Sequence, residues 1–72
     1  MRKLEASNIH VSELYIGRVV EEKPIFSEHT DIGHILGFDN VHGELLLVVK
    51  FSKKKDPCLV HPANVNIWMA DL

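Results

Sequence analysis

The chain has 72 residues, a single cysteine and a formal net charge of −2, which leaves room for one small domain and excludes a disulfide-stapled secreted scaffold. An apolar share of 46% with 25% charged residues is that of a globular domain and excludes disorder along the whole chain. The longest apolar run, Leu45 to Val49, falls far short of the ~20 residues of a membrane-spanning helix. No hydrophobic stretch follows Arg2 and Lys3 as it would in a secretory signal, so a cytoplasmic location without membrane association is expected.

Eight Val and six Ile stand against three Ala, a mixture that favours strands over helices. The first ten residues fit a short helix, an edge strand or a frayed arm, and residues 1–12 are taken as an amino-terminal arm before a domain spanning 13–72. Leu14 to Glu22 reads as the first strand, with both faces partly apolar and no assignable inward side. Lys23 to Asp31 is the longest loop. Ile32 to Phe38 follows as a strand, its two glycines, Gly33 and Gly37, four residues apart and therefore on one face. Asp39 to Gly43 closes a hairpin onto the clearest strand, Glu44 to Phe51. There Leu45, Leu47, Val49 and Phe51 alternate with Glu44, Leu46, Val48 and Lys50, and the first set is the expected core.

The polar turn Ser52-Lys53-Lys54-Lys55-Asp56-Pro57 leads to a short strand from Cys58 to His61. Pro62-Ala63-Asn64 predicts a single helical turn, since Pro supplies the φ of a first helical position. Val65 to Met69 then resumes alternation, with Val65, Ile67 and Met69 on one side and Asn66 and Trp68 on the other. These elements predict an all-β protein, a small five-stranded barrel with a short helical turn before the last strand.

The stretch Asp31-Ile32-Gly33-His34-Ile35-Leu36-Gly37-Phe38, the long strand Glu44 to Phe51 and the segment Val60-His61-Pro62-Ala63-Asn64-Val65 together resemble the SH3-like barrels of the translation-protein type, including KOW-like and Tudor-like domains. The resemblance covers roughly residues 30–69. It implies a component or modulator of transcription or translation machinery.

Among the residues that could carry chemistry, five histidines direct attention first to metals. Cys58 and His61 have C-x-x-H spacing, yet three positions along a strand place them on opposite faces. The same geometry argues against a Cys58–His61 nucleophilic pair. His29, Asp31 and His34 could hold an ion where loop meets strand, but a polar loop with solvated imidazoles is the favoured account of them. No phosphate loop, nucleophile elbow or dinucleotide fingerprint is present, so no catalytic residue, cofactor, resident metal or small-molecule substrate is expected.

Binding is the better-supported role. Trp68, Leu46 and Val48 fall on the outward sides of their strands and are the expected anchors for a protein partner or for self-association, with His29 at the rim. Alternatively, the arm could cover this face through Leu4, Ile9 and Val11. Lys50, Lys53, Lys54 and Lys55 hold half of the eight basic residues and offer a second use, contact with nucleic-acid phosphates, with Trp68, Tyr15 or Phe26 stacking on bases.

Overall fold

The computed structural model describes residues 2–24 and 30–70. It is all-β: β1 (Arg2–Glu5), β2 (Val19–Glu22), β3 (Ile32–Val41), β4 (Glu44–Phe51), β5 (Cys58–Val60) and β6 (Val65–Met69). They form one open antiparallel sheet in the order β1-β6-β2-β3-β4-β5. Six strands replace the expected five. The additional one is β1, whose Arg2, Lys3, Leu4 and Glu5 pair with Met69, Trp68, Ile67 and Asn66, so an edge strand is what the first residues form. No helix among the described residues is long and apolar enough to cross a membrane.

Directly paired residues of an antiparallel ladder share a face, so the register sorts the sheet into two sides. The inner side carries Val20, Ile35, Leu47, Val49, Phe51, Val65 and Ile67, all fully buried. Ala6 and Leu14 complete this core from outside the strands, and Ile9, Cys58, Val60 and Met69 pack around it. The alternation expected for β4 is therefore correct, with Leu45 only half-buried at the end of the core.

Several expectations are revised. Residues 14–18 are not strand: Val11–Glu13 is a 3-10 turn, and the Arg18 N–H donates to the Tyr15 carbonyl at 3.0 Å around Gly17. Gly17 has φ +92°, a conformation that favours glycine and ends the straight path a strand would need. Gly33 and Gly37 lie on opposite faces. The β3–β4 register shifts between Ile35 and Gly37, so Leu36 is the extra residue of a β-bulge, and one inserted residue reverses the parity of everything after it. Gly33 faces the inner side opposite Phe51, whereas Gly37 faces outward opposite Val48.

The hairpin loop shrinks to His42 and Gly43, whose φ values of 53° and 82° give the two-residue turn that matches strand twist. Cys58 lies on β5 as expected, Pro62–Asn64 forms the expected single turn, and Val65–Met69 keeps its predicted alternation.

Candidate binding face

The outer side of the sheet carries exposed apolar side chains that no described segment covers. Glu21 pairs with Asn66, which sets the outer positions of β2 and β6: Val19 and Glu21 on one, Asn66 and Trp68 on the other. Val19 pairs with His34 and Glu21 with Ile32, and His34 pairs with Lys50, so the same face continues onto β3 and β4. Trp68 is 44% exposed, while Val19 and Ile32 are each 54% exposed.

Trp68 is held in place. Its indole Nε1 donates to Glu21 Oε2 at 2.8 Å, and the Lys3 ammonium lies 5.4 Å from the ring centroid and 3.5 Å from Glu21 Oε1. Thr30 Oγ1 donates to the same carboxylate at 3.0 Å. The indole hydrogen bond foremost, helped by Thr30 and Lys3, holds the Glu21 carboxyl below the usual range against its partial burial.

Tyr15, Gly17, Arg18, Val19 and Trp68 line an open groove of about 480 Å³. Arg18 fixes its floor. One guanidinium nitrogen donates to the Tyr15 hydroxyl at 2.9 Å and lies 3.6 Å from Glu13 Oε2. The other donates to the Trp68 carbonyl at 3.2 Å and contacts Met69 Sδ at 2.9 Å.

Val19 also borders a second hollow of about 300 Å³, lined by Ile32, Gly33, His34, Lys50, Phe51 and Ser52. Lys50 Nζ donates to the Phe51 carbonyl at 2.8 Å and to that of Lys54, and Lys54 Nζ sits 5.1 Å from the Phe51 ring. Asp31 pins the turn from beneath by accepting from Ser52 Oγ and, at 3.0 Å, from the Lys53 N–H. Burial acts to raise the Asp31 pKa, but these bonds and the Ile32 N–H outweigh it and hold the carboxyl below its ordinary value.

The sequence-predicted anchors do not form one cluster. Trp68 is on β6 and Leu46 and Val48 are on β4, with β2 and β3 between them, three strand spacings or ~14 Å. Leu46 and Val48 are half-buried, and the outward neighbour of Val48 is the exposed Leu59 of β5. The amino-terminal residues do not cover this face: Leu4 pairs with Ile67 on the inner side, Ile9 packs on the core, and Val11 is exposed. His29 and Phe26 lie outside the described residues. Lys53, Lys54 and Lys55 are exposed in the turn, with Lys50 beside it.

Val19, Ile32 and Arg18 went unnoticed in the sequence. The alternation of Val19 and Glu21 about the buried Val20 was the available signal for the first, masked by the apolar residues preceding it. Among the residues weighed for metal binding, Asp31 is committed to the lysine turn and His34 stands exposed on the outer face. Cys58 faces the core, and His61 accepts the Ala63 N–H through Nδ1 at 3.0 Å. Among the described residues no three His, Cys, Asp or Glu side chains are grouped to share an ion. Comparison with known proteins gives no further guide: no family model matches the sequence, and no curated protein and no solved structure matches it.

Proposed function

We propose that the chain is a non-enzymatic binding module that recognises a protein partner through the outer face of its sheet. The observation that carries this reading is the run of exposed apolar side chains, Trp68, Val19 and Ile32, on a floor made rigid by Arg18 and Glu21. Fixed, uncovered apolar surface of this kind marks interaction sites on small proteins, and tryptophan is enriched among residues that dominate binding energy. A barrel of the SH3-like type is the architecture we propose. It is supported by the strand order β6-β2-β3-β4-β5, the long connection between β2 and β3, and the 3-10 turn before β6. A place in transcription or translation machinery is part of the same proposal and rests on that resemblance.

The test compares partner retention by the wild-type chain with Trp68→Ala and Val19→Ser. Each substitution is expected to weaken binding by about 2 kcal/mol or more with the amide spectrum of the fold preserved. Retention unchanged by both overturns the reading, and unfolding by both shows that these residues serve the core.

A second reading, a single-stranded nucleic-acid surface, is favoured by one observation. Lys50, Lys53, Lys54 and Lys55 form no ion pair among the described residues, whereas Lys3, Arg18 and Lys23 each do.

A further inference from the structure

We infer that the occupant of the outer face is a short acidic peptide segment of a partner protein, with carboxylates seated at Lys50 and the lysine turn and a bulky apolar side chain seated at Trp68. This rests on the binding-face reading above and adds the chemistry of what binds.

Charge is segregated across the face. On the β1, β6 and β2 side Lys3 pairs with Glu21, Arg18 with Glu13 and Lys23 with Glu5, while Arg2, in register with Met69, lies on the other side of the sheet. At the β4 end Lys50, Lys53, Lys54 and Lys55 have no such partner among the described residues. Among the described residues the nearby carboxylates are Asp31, whose oxygens are engaged by Ser52 and the Lys53 N–H, and Asp56 at the far end of the turn. Among the described residues no acidic side chain lines the hollow between Val19 and Lys50.

The Lys50 ammonium is also prepared for an anion. It has three protons to donate, and two are directed at the Phe51 and Lys54 carbonyls. A carboxylate can take the third without first freezing a mobile side chain, which lowers the entropic cost of binding. His34, exposed and paired with Lys50 across the ladder, adds a second donor at the rim, and Val19 and Ile32 supply an apolar floor.

The same layout disfavours a polynucleotide. Its phosphates repeat their charge along the whole strand, but the basic zone spans one turn, and toward Trp68 the next acidic group is the Glu21 carboxylate. A peptide whose charge is confined to one end matches this gradient. Crossing from β4 to β6 covers ~14 Å, or about four extended residues, so acidic positions and the apolar anchor should lie about that far apart.

The test selects a random-peptide library on the intact immobilised chain, with oligothymidylate as the competing probe. Enriched peptides should carry at least two Asp or Glu about four residues from a Trp, Phe or Leu, and should shift the amide signals of Val19, Ile32 and His34. Their affinity should fall about tenfold or more in ~1 M salt, where the screening length is ~3 Å. The Lys50→Gln/Lys53→Gln/Lys54→Gln variant should lose the same factor, and Lys53→Gln/Lys54→Gln/Lys55→Gln provides the check if loss of Lys50 disturbs the fold. Neutral or basic peptides enriched at the same face would overturn the acidic occupant and leave the binding face standing. Binding of oligothymidylate without any enriched peptide, or of neither probe, would overturn both.

Discussion

Gly33 shows how a single missing side chain can be required by its surroundings. A Cβ there would lie 2.7 Å from the Lys50 carbonyl oxygen and 2.8 Å from Val49 Cγ1, whereas one at Gly37 would meet nothing within 4 Å. Gly33→Ala should therefore cost ~1–3 kcal/mol through overpacking. Gly37→Ala should be neutral or stabilising by up to ~1 kcal/mol, because it restricts the unfolded chain. Urea unfolding of the two variants checks this, and equal destabilisation would refute the assignment of the two glycines to opposite faces. The sequence displayed both glycines but not the bulge at Leu36, since an extra residue in one strand leaves its own composition unchanged. The alternation of Leu47, Val49 and Phe51 was legible because that strand is buried on one side without interruption. The Trp68 orientation was legible for the same reason, but its neighbours across β2 were not.

At the level of elements, two short turns share an uncommon cap. His61 Nδ1 accepts the Ala63 N–H at 3.0 Å, and His10 Nδ1 accepts the Ser12 N–H at 3.2 Å. Each ring nitrogen does the work that Ser or Asp oxygens usually do at the start of a helix. His61→Ala should cost ~0.5–2 kcal/mol, and His61→Asn, which keeps an acceptor, should recover most of the loss. Thermal unfolding distinguishes the two, and identical midpoints would show that the cap contributes nothing. The turn at Pro62 was legible from its proline. The strand at Arg2–Glu5 is not legible locally, because its partner is β6 at the other end of the chain and non-local pairing leaves no local pattern.

On the scale of the whole molecule, three carboxylates tie distant segments together. Glu5 is held below the usual range first by its hydrogen bond from Lys23 and then by that from Ser7, Glu21 by Trp68, and Asp31 by the turn donors that outweigh its burial. Each folded-state pKa is depressed, so the stabilisation is present above the unfolded values near ~4 and is lost as pH falls through the folded ones. The thermal midpoint should be level from about pH 7 to 5 and fall steadily below about pH 4. Asp31→Asn should lower the midpoint at neutral pH and reduce the acid drop. A midpoint constant down to about pH 2.5 would contradict this linkage.

The long strand β4 has a further consequence. At its start, beside the His42-Gly43 turn, stand the exposed Glu44 and Asp39. At its end lies the lysine turn, where Lys50, Lys53, Lys54 and Lys55 outnumber Asp31 and Asp56. A rise of ~3.3 Å per residue separates these ends by more than 20 Å, roughly the length of Glu44–Phe51. Charge is thus polarised along β4, acidic at its start and basic at its end, beneath a net charge of −2. Toward the acidic partner proposed above, this gradient favours an approach with the lysine end of β4 foremost.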